Sequence, residues 1–236
     1  ADLVKQNPAF SDAGAEGMTA VYETGVTRVG NLFEGSPVEH VEIPEGVKTI
    51  GGQAFKGCSN LKEIILPESV ETVESSAFID CSGVTRVRIE SPKCTYKWNG
   101  VVQSPFAGVG LEGFTVEFGE KVLEVPKLGL GKEVKKVQFD GPVEKIGEQA
   151  FSGCSDLETA VLPDSVKEIG DAAFYNCEKL GNVTFGTKLL KIDYNAFSGA
   201  KSLTELEIPE QVEEINGGAF SGCSGLKKVV VRADLV

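Results

Sequence analysis

The feature that most constrains the fold of this chain is an internal repeat with a period of 23 residues. Its clearest marker is the dipeptide Ala-Phe, which recurs in register at positions 54–55, 77–78, 150–151, 173–174, 196–197 and 219–220. Three residues after each of these phenylalanines stands a cysteine or, in one repeat, an alanine, and three residues further on stands Leu or Val. Self-similarity at a fixed period of roughly 20 to 50 residues is typical of stacked arrays. The chain is therefore predicted to be a solenoid.

Each repeat contains a short stretch in which side chains alternate between two sides. In residues 61–66, Ile64 and Leu66 share one side and Glu63 and Ile65 share the other, as the two-residue period of a β-strand requires. A proline then ends the strand, and a second extended piece precedes the next Ala-Phe turn. Such a unit has too few apolar groups to close a core alone, so neighbouring units must stack about 4.8 Å apart. We therefore predict a mainly β fold with turns or short 3₁₀ segments.

The array is predicted to fill residues 1–236 as a single solenoid of about ten units, each roughly 21 to 29 residues long. Its predicted parts are irregular N-terminal units (1–42), regular repeats (43–88), irregular units with an insertion (89–138) and regular repeats (139–236). The insertion is placed at residues 92–103, where about six extra residues lengthen one unit. Neither end carries a polar capping unit, which predicts a segment of a longer protein or ends that associate.

Six cysteines could indicate a disulfide framework, but their spacing favours buried thiols. Five of them recur at one repeat position whose sixth occupant is Ala200, and alanine can replace a residue that supplies small apolar bulk. Neighbouring units would still place some thiols close enough to pair. Cys94 lies outside this register and is the better candidate for a reactive or paired thiol. Because the chain has no Cys-x-x-Cys pair and a single histidine, His40, no metal site is predicted.

Two stretches of the chain carry the same extended motif. The first comprises Ile50-Gly51, Ala54-Phe55-x-x-Cys58-Ser59-Asn60-Leu61 and Leu66-Pro67-Glu68-Ser69-Val70, and the second comprises Leu162-Pro163-Asp164-Ser165-Val166, Ile169-Gly170 and Ala173-Phe174-x-x-Cys177. Both closely resemble the repeats of the BspA-like leucine-rich-repeat family, and the resemblance is weakest over residues 92–131. It implies a right-handed, curved solenoid found mainly in surface or secreted proteins of host-associated bacteria and some parasitic protists, which are associated with adhesion. The matching residues are structural, so the resemblance transfers no binding residue.

Catalytic, cofactor and nucleic-acid functions find no support in the sequence. A Ser-His-Asp or Cys-His site would need His40, which occupies an outward-facing strand position and is interpreted as a solvated surface residue. There is no Gly-rich phosphate loop, so no cofactor is predicted. The net charge of −12 disfavours nucleic acid, and no apolar run reaches the roughly 20 residues of a membrane span. The chain is predicted not to be an enzyme, with no catalytic or metal-binding residues and no membrane span in this segment.

Exposed side chains that line up across repeats are the candidates for binding a partner. The outward strand positions should form two columns on the concave face of a leucine-rich repeat, with four basic residues near the centre that would suit an acidic partner. The insertion adds two aromatic residues, which would either recognise a ligand or cover a packing defect. Routine surface charge is the alternative for the basic group. The candidate binding residues are Arg86, Arg88, Lys135, Lys136, Tyr96 and Trp98.

These observations favour a non-catalytic, extracellular or cell-surface module for protein–protein interaction or adhesion. It would bind a host matrix or cell-surface protein through the concave strand face or through the insertion at residues 92–103. Two alternatives remain open. The first is a structural spacer in a larger surface protein. The second is a glycan-binding module that uses Trp98 and Tyr96 as stacking platforms.

Overall fold

The computed structural model describes residue 10, residues 17–98 and residues 103–235. Within these residues every regular element is a β-strand, and turns and bends connect the strands where turns or short 3₁₀ segments are predicted. Long strands of three to six residues alternate with nine short strands of two residues, which gives about nine coils compared with the predicted ten or so. Each coil packs its strands parallel to those of the next. The mainly β solenoid is confirmed.

The chain divides into two compact units, residues 1–114 and residues 115–236. In the first unit the described strands are β1 (Met18–Val21), β2 (Arg28–Val29), β3 (Val38–Glu42), β4 (Thr49–Ile50), β5 (Glu63–Leu66), β6 (Thr72–Val73), β7 (Arg86–Ile89) and β8 (Thr95–Tyr96). The long strands pair as β1–β3 and β5–β7, and the short strands form the ladder β2–β4–β6–β8. The continuity of one solenoid across residues 114 and 115 stays a prediction.

The second unit repeats this arrangement. Its strands are β9 (Phe114–Phe118), β10 (Glu124–Val125), β11 (Val134–Phe139), β12 (Lys145–Ile146), β13 (Thr159–Val161), β14 (Glu168–Ile169), β15 (Asn182–Thr184), β16 (Lys191–Ile192), β17 (Glu205–Ile208), β18 (Glu214–Ile215) and β19 (Lys228–Val231). The short strands form one unbroken ladder, β10–β12–β14–β16–β18. The long strands do not, because β9–β11–β13–β15 share a ladder while β17 and β19 form a separate sheet.

Phenylalanine rings form a continuous stack inside each unit. The stack of the first unit consists of Phe10, Phe33, Phe55, Phe78 and Phe106, with ring centroids 5.0 to 6.2 Å apart. The stack of the second unit consists of Phe151, Phe174, Phe197 and Phe220, with centroids 5.0 to 5.4 Å apart. The rings are nearly parallel, and the alanine before each of them in the Ala-Phe pairs is buried. Each coil thus completes the core of its neighbour, as nearest-neighbour solenoids require.

The six cysteines are free and buried, which confirms the prediction of thiols that pack in the core. The cysteine at this repeat position also has a hydrogen-bonding role that its spacing does not predict. At four coils the thiol donates a hydrogen bond to the backbone carbonyl of the phenylalanine one coil earlier, over 2.9 to 3.3 Å, and these thiols belong to Cys58, Cys81, Cys177 and Cys223. The cysteine therefore fills space and also links consecutive coils.

Two positions in the Ala-Phe turn adopt the left-handed backbone conformation. The first directly precedes the alanine and is occupied by Gln53, Ser76, Gln149, Ala172, Asn195 and Gly218, with φ between 52° and 74°. The second directly precedes the cysteine position and is occupied by Gly57, Asp80, Gly153, Asn176, Gly199 and Gly222, with φ between 55° and 81°. Most side chains disfavour this conformation by about 1 kcal/mol or more. The stacked coils therefore impose the turn even on residues that do not prefer it.

The first part of the predicted insertion pairs like a regular coil. Thr95 and Tyr96 lie in register with Thr72 and Val73, one ordinary repeat away, although their neighbours lack the apolar pattern of the other coils. The bounds of the insertion, residues 92–103, stay a prediction. The extra residues lie between Tyr96 and the next turn, and residues 99–102 of the predicted insertion are outside the described residues.

Candidate binding face

The outward-facing side chains of the long strands are here called the strand face. On β5, Ile64 and Leu66 are buried while Glu63 and Ile65 reach solvent, which is the predicted alternation. The strand registers align the outward residues into columns within each unit: Glu63 beside Arg86 and Ile65 beside Arg88, Lys136 beside Thr159 and Asn182, Val161 beside Thr184, Glu205 beside Lys228, and Glu207 beside Val230. These are the columns expected from the repeat. Their members differ in charge and size from coil to coil.

Arg86 and Arg88 both lie on β7 and both have carboxylate partners. Nη1 of Arg86 lies 3.1 Å from Oε2 of Glu63 on the neighbouring strand, and both side chains are about one-third exposed. Nε of Arg88 donates to Glu90, which directly follows β7, and the Arg88 side chain is more buried than that of Arg86. The two guanidinium groups therefore present a locally neutralised pair of cations, which is a weaker attraction for an acidic partner than the sequence suggests.

Lys135 and Lys136 are adjacent, exposed residues near the start of β11. Lys136 occupies the outward column beside Thr159, whereas Lys135 precedes it where strict alternation would turn a side chain inward. The two lysines lie in the second unit and the two arginines lie in the first unit. Their grouping into one basic patch stays a prediction.

Tyr96 and Trp98 occupy different environments. The Tyr96 ring packs 5.8 Å from the Phe106 ring, its hydroxyl is buried, and burial raises the pKa of that hydroxyl well above the ordinary value. The buried hydroxyl and the ring contact show that Tyr96 takes part in packing. Trp98 follows β8 and, like Tyr96, is half-buried. A binding role for either aromatic residue stays a prediction.

Cys94 is not the accessible thiol that its irregular position suggests. Its side chain is 6% exposed, and burial raises its pKa to about 11. A thiol of this kind stays protonated at neutral pH, and the thiolate is the reactive form. The prediction of a reactive Cys94 is therefore wrong, because the regular coil around β8 encloses it.

The single histidine lies on the strand face of the first unit. His40 is exposed on β3 and lines a shallow cavity of about 540 Å³ together with Glu42, Glu63 and Ile65. In the parts of the chain that the structure describes, no three His, Cys, Asp or Glu side chains are grouped to hold a metal ion. None of the described residues forms a helix that is long and apolar enough to cross a bilayer.

A second cavity on the strand face lies in the second unit, where β15 and β17 belong to separate sheets. This cavity of about 680 Å³ is called the strand-face groove, and its lining includes Asn182, Thr184, Phe185, Glu205, Glu207 and Arg232. Oε2 of Glu205 lies 3.7 Å from Nζ of Lys228, and Nε of Arg232 donates to Glu207. The groove thus combines exposed ion pairs with uncharged polar side chains.

A local change in sequence accompanies the groove. Where other repeats have Leu-Pro or Ile-Pro, this coil has Phe185-Gly186. The Phe185 ring turns toward the core and meets the Phe197 ring edge-on at 5.7 Å. A Cβ atom on Gly186 would lie 2.1 Å from the carbonyl oxygen of Pro163, so only glycine allows the close approach of these two coils. The same Phe-Gly pair occurs at Phe118-Gly119, where β9 and β11 share a ladder, so the pair alone does not mark a groove.

Solved structures of bacterial repeat proteins resemble this fold. A leucine-rich repeat protein from Eubacterium ventriosum aligns with a TM-score of 0.53 at 21% identity, covering 91% of this chain and 66% of its own length. One from Bacteroides capillosus is 33% identical over 39% of this chain and 64% of its own length, with a TM-score of 0.35. The pneumococcal vaccine antigen PcpA is 18% identical over 90% of this chain and 62% of its own length, with a TM-score of 0.40. The chain therefore spans just under two thirds of these proteins.

No curated protein matches the chain significantly. The family description "BspA type Leucine rich repeat region" matches residues 29–100 and 130–236, in six copies. These residues make up most of the chain and include the Ala-Phe turns, the cysteine column and the strands that form the strand face. Repeats of this kind are typical of protein-interaction or surface modules, and no catalytic family is matched. The chain belongs to the BspA-type leucine-rich-repeat family.

Proposed function

We propose that this chain is a non-catalytic, extracellular or cell-surface module that binds a protein partner through its strand face. One observation carries the proposal. The inward positions of the long strands are apolar in coil after coil, whereas the outward positions vary in charge, size and polarity while being held in fixed columns. A rigid frame that displays unlike side chains is suited to recognition, because little conformational entropy is lost on binding.

The basic residues on this face are the first candidates for contact. Arg86 pairs with Glu63 across two exposed strands, and exposed ion pairs contribute little to stability. A partner carboxylate can therefore replace the Glu63 carboxylate at small energetic cost. Lys135 and Lys136 in the second unit are exposed and offer the same chemistry to a second acidic group. Trp98 is proposed as the aromatic contact of the lengthened unit.

The family match supports the surface location, since the resemblance implies surface or secreted proteins. The host matrix or another cell surface is the proposed source of the partner. All six cysteines are buried, which suits an oxidising environment because buried thiols are protected from pairing with external thiols. Adhesion in the host is thus the setting that we propose for this module.

The test uses purified laminin and type IV collagen from which the glycans have been removed, immobilised for interferometry. The double variants Arg86→Gln/Arg88→Gln and Lys135→Gln/Lys136→Gln and the variant Trp98→Ala are compared with a control on the short-strand side. That control is Lys48→Gln/Lys167→Gln, whose two lysines are also about half exposed and ion-paired. We expect about a fivefold to tenfold weaker Kd for at least one face variant and an unchanged Kd for the control. Equal binding by all variants, or no binding of either matrix protein, would contradict the proposal.

A further inference from the structure

The strand-face groove lies at a break between sheets of long strands, as does the cavity beside His40. At the groove, β15 ends one ladder of long strands and β17 begins another, so the long-strand side is not closed there by a shared ladder. Its volume of about 680 Å³ is in the range of small-molecule sites. The groove is therefore large enough for a ligand of a few sugar or amino-acid residues.

The charges in the groove nearly cancel. The lining contains three carboxylates and two cations: Glu205, Glu207 and Glu210, with Lys228 and Arg232. Each cation is paired with a carboxylate of the neighbouring coil, and the third carboxylate accepts a hydrogen bond from the adjacent amide of Gln211. The net charge of this lining is −1, on a chain whose net charge is −12. A strongly charged ligand would gain little binding free energy from the charges of this lining.

The remaining lining supplies uncharged polar groups and apolar surface side by side. Asn182 and Thr184 are exposed on β15 and provide amide and hydroxyl groups that both donate and accept hydrogen bonds. Val230 is half-buried at the groove and presents apolar surface, to which Phe185 adds the part of its side chain that is not packed on Phe197. A sugar ring matches this combination, because its hydroxyls lie around the rim and its C–H groups lie on the faces.

We propose that the strand-face groove binds a neutral oligosaccharide of two or three residues. The paired carboxylates of Glu205 and Glu207 accept hydrogen bonds from sugar hydroxyls, and Asn182 and Thr184 bind the neighbouring hydroxyls. Glu205 and Glu207 are ion-paired with Lys228 and Arg232 of the neighbouring coil, and these exposed pairs can rearrange around a ligand at small energetic cost. This site is separate from the residues assigned to the protein partner above.

The test uses the whole chain labelled with ¹⁵N and four trisaccharides as probes: maltotriose, cellotriose, mannotriose and the β-1,4-linked N-acetylglucosamine trimer. Titration should move the amide resonances of β15, β17 and β19 for at least one trisaccharide. Asn182→Ala/Glu207→Ala should weaken that binding at least tenfold, as expected for the loss of hydrogen bonds that include a charged acceptor. Glu144→Ala is the matched control, since Glu144 is a half-exposed carboxylate paired with Lys167 on the short-strand side. It should leave the Kd unchanged.

Several results would overturn the assignment. Absence of shifts with all four trisaccharides at 10 mM (about ten times the weakest Kd of interest) would show that the groove does not bind neutral sugars. Shifts confined to residues outside β15, β17 and β19 would place a sugar site elsewhere. Binding of a Lys- and Arg-rich peptide in the groove, without sugar binding, would make it a cationic-peptide site. Because the matrix proteins above are free of glycans, failure here leaves the protein-binding proposal to be decided by its own experiment.

Discussion

The thiol of Cys177 donates a hydrogen bond to the carbonyl oxygen of Phe151, 3.2 Å away on the preceding coil. The same oxygen accepts the backbone N–H of Cys154, so it serves both its own turn and the next coil. One coil later the equivalent carbonyl, that of Phe174, accepts the backbone N–H of Cys177 but faces Ala200, which has no side-chain donor. Between Cys177 and Cys223 the cysteine column is therefore interrupted at this coil.

This interruption allows the thiol to be tested by loss and by gain. Cys177→Ala is expected to lower the free energy of unfolding by about 1 to 2 kcal/mol, since it removes a buried sulfur and a hydrogen bond between coils. Ala200→Cys is expected to raise that free energy by up to about 1 kcal/mol, because it supplies the missing donor at a position that neighbouring coils fill with cysteine. Urea unfolding under reducing conditions measures both changes. A Cys177→Ala variant as stable as the parent would refute the linking role.

Replacement of Gly186 by any other residue is expected to destabilise the fold. Gly186→Ala should lower the free energy of unfolding by about 2 to 4 kcal/mol, because its Cβ would lie 2.1 Å from the Pro163 carbonyl oxygen and backbone on both coils would have to move. Gly181→Ala on the same coil is the matched control, since its Cβ would meet nothing nearer than 3.6 Å. Thermal unfolding followed by circular dichroism compares the two. Equal melting temperatures for the two variants would argue against this close approach.

The left-handed position before Ala-Phe offers a stabilising substitution. Ala172 has a φ of 52°, a conformation that glycine adopts without the steric cost that a Cβ brings. Ala172→Gly is therefore expected to raise the free energy of unfolding by about 0.5 to 1 kcal/mol, after the greater flexibility of glycine in the unfolded chain is subtracted. Ala173→Gly, at the adjacent buried alanine, should instead be destabilising. Chemical unfolding of both variants checks the opposite signs, and a destabilised Ala172→Gly would contradict the assignment.

Glu74 should make stability depend on pH. Arg28 donates hydrogen bonds of 3.1 and 2.8 Å to its carboxylate and the backbone N–H of Gly52 donates a third, which together lower the pKa of Glu74. A carboxyl whose pKa is lower in the folded state stabilises the fold fully above its unfolded pKa, and the contribution disappears as pH falls through the folded pKa. Glu74→Gln should therefore cost about 1 kcal/mol at pH 7 and less at pH 3. Urea unfolding at pH 7, 5 and 3 tests this, and a pH-independent difference would count against it.

Cys94 is expected to be slow to react in the native protein. With a pKa of about 11, about one Cys94 thiol in a thousand is ionised at pH 8, and the side chain is buried. Ellman's reagent should therefore show no fast phase in the folded chain and titrate all six thiols after unfolding in guanidinium. Cys94→Ser should not change the native time course. A fast native phase equal to one thiol that vanishes in Cys94→Ser would show that Cys94 is accessible.

The core could be predicted from sequence because every coil obeys the same rule at its inward positions. The side-chain alternation in residues 61–66 and the position of each Phe follow from periodicity and burial alone. The left-handed turn positions could not be predicted, because residues such as Gln53 and Ala172 carry no local preference for that conformation. The pairing of Tyr96 could not be predicted for a related reason. Tyr96 joins the short-strand ladder through its backbone pairing, although its neighbours lack the apolar pattern of the other coils.

The candidate site was predictable in its columns and not in its details. The placement of Arg86 beside Glu63 follows from a shift of one repeat. The same placement explains the ion pair that partly neutralises the charge of Arg86. The burial of Cys94 depends on how the irregular coil packs, which no local pattern specifies. The strand-face groove lies where two coils share no ladder of long strands, and the repeat pattern gives no sign of it, since the Phe185-Gly186 pair also occurs at Phe118-Gly119.

At the strand-face groove the two flanking coils stay joined on their other sides. Lys191 and Glu214 lie in register on β16 and β18, and the backbone N–H of Phe197 donates to the carbonyl of Ala219 in the Phe turns. Two other sides of these coils are thus held together, whereas β15 and β17 belong to separate sheets. The short strands and the Phe turns therefore set the spacing of the two coils, and the width of the groove does not depend on a ladder between β15 and β17.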